Sequence, residues 1–133
     1  MFKAKEIMRA DVLSVTKDTP ICKAVDILIE NGVTGLPVVD IETRLVGIIS
    51  EKDVLKLMYN LGANDGYVED FMSRCVVSFD VDDKLLDVCE SLIENGFRRV
   101  PILSEGKLVG IISRRDIISH IQKHRQREKT AIV

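Results

Sequence analysis

Apolar and polar residues follow two rhythms in this chain, and the same succession of rhythms is written twice along its 133 residues. Short β-type runs come first, "VLSV" from Val12 and "VVSF" from Val76. A helical spacing follows each. Ile21, Ala24, Val25 and Leu28 share one face, and Leu85, Val88, Cys89 and Leu92 repeat it. Thr19-Pro20 predicts an N-cap followed by proline at the first helical position. Gly32 and Gly96 predict a left-handed stop. Two apolar strands come next: "LPVVD" and "RLVGIIS" in the first copy, "VPIL" and "KLVGIIS" in the second. "LVGII" is apolar at nearly every position, which predicts a strand buried on both faces. Helices over 51–59 and 114–123 close the copies. Each copy is therefore β-α-β-β-α, and the fold class is α/β (α+β).

The duplication is explicit in the residues. "LIENG" recurs at an offset of 64, from Leu28 and from Leu92, and the same offset pairs Met8 with Met72, Ser14 with Ser78 and Pro37 with Pro101. It falls to 63 between "DIETR" and "SEGK", so that Gly47 pairs with Gly110 and Asp53 with Asp116. A length change there marks a loop. The copies extend over about 4–58 and 68–121. The expected division is a first repeat at 1–60, a glycine-rich connector at 61–67, a second repeat at 68–122 and a basic polar tail at 123–133. One helix cannot cover both faces of so small a sheet, so the copies are expected to pack sheet against sheet.

Composition narrows the function. Hydrophobic residues make up 46% and charged residues 30%, with a net charge of −2. That gives enough apolar material for a core and no global attraction to nucleic acid. No apolar run is long enough to span a membrane and no secretory leader is evident. The three cysteines, Cys22, Cys75 and Cys89, form no metal-ligand spacing and point to the cytoplasm. Cys22 and Cys89 fall on helical patterns and are expected to pack. His120 and His124 have a metal-compatible spacing but no third ligand, so they are assigned to an exposed helix end. The basic stretch 123–129 suits a helix C-terminus. The aromatic residues do not interleave with basic ones. No nucleophile elbow, zinc-protease or phosphate-loop motif occurs, so no enzyme and no catalytic cofactor are expected.

What remains is the repeated strand end. Gly47 and Gly110 remove a side chain inside a strand, which fits a bulge, close packing or ligand access alike. Ser50 and Asp53, and Ser113 and Asp116, form Ser-x-x-Asp at a helix start. That spacing fits a capping box. It also fits a nucleotide, because free N–H groups and a hydroxyl suit phosphate while a carboxylate accepts from both ribose hydroxyls.

These residues resemble the CBS domain pair, also called a Bateman module. The likeness rests on "GVTGLPVVD…RLVGIISEKD" and "GFRRVPIL…KLVGIISRRD", each following an "IENG" helix end, and covers nearly the whole chain. The resemblance implies a pseudo-two-fold, disc-like pair with two clefts between the repeats. It implies a regulatory sensor of AMP, ADP, ATP or S-adenosylmethionine that is not an enzyme, and a homodimer. Serine and aspartate would contact phosphate and ribose. One ligand set would be Ile111, Ser113 and Asp116 with Asp11, Leu13, Val33 and Thr34. The other would be Ile48, Ser50 and Asp53 with Cys75, Val77, Phe97 and Arg98. Apolar members would hold the base, and the "VL" and "VV" backbones would read its edge.

The copies differ in charge. Arg98-Arg99 and Arg114-Arg115 stand where the first copy has Thr34-Gly35 and Glu51-Lys52. Guanidinium forks match phosphate oxygens. The Asp116 motif is therefore expected to be the stronger phosphate site, with Arg98 or Arg99 supplying charge; Arg114 and Arg115 also fit a solvated face. The competing expectation is a ligand-free module for dimerisation or protein interaction. In either case a separate effector chain is the expected listener.

Overall fold

The computed structural model describes residues 1–61 and 66–132, so most of the predicted connector lies outside the described residues. After a 3-10 turn at Ala4–Glu6 the chain forms β1 (Val15–Thr16), α1 (Ile21–Asn31), β2 (Gly35–Val39), β3 (Leu45–Ser50) and α2 (Glu51–Leu55), which runs into a 3-10 turn at Lys56–Asn60. The second copy forms α3 (Val68–Phe71), β4 (Phe79–Asp80), α4 (Leu85–Asn95), β5 (Arg99–Ser104), β6 (Lys107–Ser113) and α5 (Arg114–Ile132). The β-α-β-β-α order is present in both copies. The early strands are shorter than "VLSV" and "VVSF" suggest. The last helix runs past the expected end at 123 and through the basic stretch to Ile132.

The chain divides into two compact units, each with a three-stranded sheet, ordered β1-β2-β3 and β4-β5-β6. The first unit comprises Leu13–Val76 and Gly106–Leu108; the second comprises Met1–Val12, Val77–Glu105 and Val109–Val133. The arm ahead of the first copy thus belongs to the second unit, while the corresponding arm around α3 belongs to the first. Equivalent hydrogen bonds dock both arms. Val68 N–H donates to Thr19 O at 2.9 Å, and Ala4 N–H donates to Asp83 O at 2.8 Å. Lys3 and Lys5 also pair with Asp82 at 3.6 and 3.1 Å.

In the first unit β1 runs parallel to β2 and β2 antiparallel to β3. The core is Val15, Ile21, Ala24, Leu28, Leu36, Val38, Ile49 and Val68. In the second, β4 runs parallel to β5. Its core is Ala4, Leu85, Val88, Leu92, Val100, Ile102, Ile112 and Ile117. Thr19 is not the helix cap. Pro20 holds that position, and the Thr19 hydroxyl instead accepts from Thr16 N–H at 3.1 Å in the preceding turn. Gly32 and Gly96 end their helices at φ of 59° and 66°, as predicted.

Candidate functional site

β3 and β6 are not buried on both faces. Ile49 and Ile112 enter the cores, while Ile48 and Ile111 alternate to the other face and remain half-buried. That second face carries Ser50 and Ser113 at the strand ends. Apolar side chains there hid the period-two pattern in the sequence.

Each strand has an arm paired along its edge. Ser73 and Ile48 exchange N–H···O bonds, both 2.9 Å; Arg9 and Ile111 do the same at 2.9 and 3.0 Å. These pairings explain Gly47 and Gly110. A Cβ on Gly47 would lie 2.8 Å from both Met72 Sδ and Ser73 O, and one on Gly110 would strike the Met8 side chain. Close packing of the arm sets these glycines, and a bulge at Val46 adjoins the first.

The Ser-x-x-Asp motifs form the same network in both units. Asp53 Oδ2 accepts from Ser50 N–H at 2.8 Å and from Ser50 Oγ at 2.9 Å. Asp116 Oδ2 accepts from Ser113 N–H and Oγ at the same two distances, and Asp116 N–H donates to Ser113 Oγ at 3.2 Å. The capping geometry is thus present, with aspartate in place of the commoner glutamate. It occupies one carboxylate oxygen and leaves Oδ1 for other partners. In the second unit that oxygen faces Arg9, whose Nε lies 3.4 Å away.

Arg9 was not among the sequence candidates. The repeat offset contains its signal, because it aligns Arg9 with Ser73 and so sets a cation beside the second motif where the first has a hydroxyl. Arg114 makes a structural contact within its unit. Its Nε donates to Phe97 O at 2.7 Å and its N–H to Arg98 O at 3.0 Å, strapping α5 to the turn before β5. Glu51 N–H makes the matching bond to Thr34 O at 3.0 Å.

The first unit brings Ile48, Ser50, Asp53 and the arm leading to Cys75 together, and contains Leu13, Val33 and Thr34. The second brings together Ile111, Ser113, Asp116 and the arm leading to Asp11, and contains Val77, Phe97, Arg98 and Arg99. Asp11, Leu13, Cys75, Val77, Phe97 and Arg98 are exposed. Cys22 is exposed on α1, contrary to the packing expectation, whereas Cys89 packs against the second core. His124 is exposed, as expected, whereas His120 is half-buried and Phe2 meets its ring edge-on at 4.4 Å. Among the described residues no helix is long and apolar enough to cross a membrane.

Two β-α-β-β-α copies, each with a strand-end Ser-x-x-Asp network and an arm paired beside it, define a duplicated α/β architecture. A profile of the CBS domain matches residues 4–60 and 68–123, and the chain belongs to that family. It is 31% identical over 137 residues to the uncharacterized protein MJ1225 of Methanocaldococcus jannaschii, covering 96% of this chain and 49% of that one. It therefore spans about half the length of that relative. The CBS-pair protein CBSX2 from Arabidopsis thaliana, solved in complex with AMP, superposes with a TM-score of 0.85 at 28% identity, covering 94% of this chain and 99% of the other. The CBS domain pair of protein MJ0100, solved with 5′-methylthioadenosine and S-adenosyl-L-methionine, gives 0.77 at 26% identity, with coverages of 90% and 99%.

Proposed function

We propose that the chain is a non-catalytic regulatory module that binds an adenosine compound, AMP, ADP, ATP or S-adenosylmethionine, and signals through conformation or partner binding in the cytoplasm. The observation that carries this reading is the duplicated strand-end site. A half-buried carboxylate is held by its serine through Oδ2, next to an apolar Ile48 or Ile111 on the same strand face. Such a site offers lone pairs to a ribose diol and an apolar wall to a base. The bound AMP and S-adenosylmethionine of the similar CBS pairs support the ligand class. The binding residues are those assigned by the resemblance, with Ser50, Asp53, Ser113 and Asp116 holding ribose and phosphate and Arg98 or Arg99 contributing charge.

The test is thermal unfolding of dialysed protein with AMP, ADP, ATP, S-adenosylmethionine and GTP, with and without Mg²⁺. A ligand at a hundredfold over Kd adds about 2.7 kcal/mol. A shift with adenosine compounds that disappears in Asp116→Ala or Asp53→Ala supports the reading. No shift, with mass spectrometry excluding a retained ligand, refutes it.

One observation favours the interaction reading as a companion. Cys89, Leu92, Ile93, Arg114, Ile117, Ile118 and Ile121 line an open apolar groove of about 410 Å³ on α4 and α5. Ile93 is 75% exposed, and its repeat equivalent on α1, Ile29, is 76% exposed. The two matching apolar faces suit a second copy of this chain. Light scattering of Ile93→Lys should then show a smaller particle than the parent.

A further inference from the structure

We propose that Arg9 makes the second-repeat motif selective for nucleosides that carry a 5′-phosphate. The inference rests on the nucleotide-binding reading and adds a specificity residue and a ligand class to it. In both repeats Oδ2 of the motif aspartate serves the serine. A ribose diol must therefore use Oδ1. On Asp116 that oxygen is paired with Arg9 Nε at 3.4 Å. In the first repeat the position equivalent to Arg9 is Ser73, which carries no charge to pair with Asp53.

The consequence is a difference in what each motif asks of its ligand. A neutral nucleoside reaching Asp116 displaces the guanidinium and offers it no anion in return. A nucleotide also displaces it, but its phosphate then accepts the freed fork in a charge-assisted pair. The guanidinium further offsets the repulsion between the phosphate and the Asp116 carboxylate. The arm permits this motion. Arg9 is anchored through its backbone to Ile111, while its side chain is 72% exposed against 16% for Asp116. At Asp53 the equivalent arm residue, Ser73, offers no guanidinium to displace.

Calorimetric titration of the full chain with AMP and with adenosine tests this. An Asp53→Ala background isolates the second-repeat motif. There Arg9→Ser should weaken AMP binding by about tenfold or more, the loss expected for a charge-assisted hydrogen bond. Adenosine binding should stay constant or tighten by up to several-fold, because only a mostly exposed ion pair is removed. Arg9→Lys should fall between, keeping the charge but not the fork. Equal weakening of both ligands, or unchanged AMP binding, would overturn the inference. So would loss of all binding in Asp53→Ala while the parent chain binds AMP, a result that leaves the nucleotide reading intact. A parent chain that binds neither ligand would overturn both. Arg9→Ser retains the main-chain pairing to Ile111, and an unchanged melting midpoint verifies its fold.

Discussion

Alanine at Gly47 should destabilise the protein, and no side-chain truncation should rescue it; alanine at Gly110 should destabilise it and be partly rescued by Met8→Ala, which removes Sδ and Cγ but keeps Cβ. Neither glycine has a positive φ, so space and not backbone conformation selects them. The Gly47 Cβ would meet Ser73 O, a backbone atom fixed by the bridge to Ile48, at 2.8 Å. The three atoms nearest the Gly110 Cβ would all belong to the Met8 side chain: Sδ, then Cγ at 2.8 Å and Cβ at 3.1 Å. Overpacking of this kind costs about 1–3 kcal/mol. At roughly 4 °C per kcal/mol for a chain of this size, the midpoint should fall by about 4–12 °C. Met8→Ala alone should cost about 1–2 kcal/mol, because the side chain is half-buried. The Met8→Ala/Gly110→Ala pair should couple favourably by about 1 kcal/mol or more, whereas Met72→Ala/Gly47→Ala should stay closer to additive. Urea unfolding of the two mutant cycles measures both couplings. A Gly47→Ala variant as stable as the parent would refute the close approach as its reason. Additivity within about 0.5 kcal/mol at Gly110 would refute Met8 as the obstacle there. Arg9 follows Met8, so Gly110→Ala should also disturb the Asp116 ion pair.

The remaining expectations can be checked with the same material. Ile49→Ala and Ile102→Ala remove fully buried side chains, one from each core, and each should cost about 2–5 kcal/mol in denaturant unfolding. Gly96→Ala meets no steric contact but must hold φ at 66°, so it should cost about 1–2 kcal/mol in the same assay, with Gly96→Asn milder. The hydrogen bond from Lys5, its charge and that of Lys3 hold the Asp82 carboxyl below its ordinary value of 3.8. Because the folded value is the lower one, the arm contact contributes above the unfolded value and is lost as pH falls through the folded value, below about 3.8. Carbon-detected NMR titration of Asp82 should show the depressed midpoint, and Lys5→Ala should raise it.

Much of this protein is legible in its sequence. The 64-residue offset, helix faces such as Ile21, Ala24 and Leu28, and the stops at Gly32 and Gly96 depend on local spacing and backbone conformation, which a single stretch of chain encodes. The Ser-x-x-Asp network was legible for the same reason: its partners are three residues apart. Other features required the tertiary structure. Duplication makes the arms degenerate, since Met8 and Met72 match and so do Gly47 and Gly110. No local pattern could say that Met1–Val12 packs into the second unit and not the first. That exchange decides what fills the space above each glycine. It also places Arg9, distant in sequence, against Asp116, and a contact across more than a hundred residues is fixed by packing and not by local spacing.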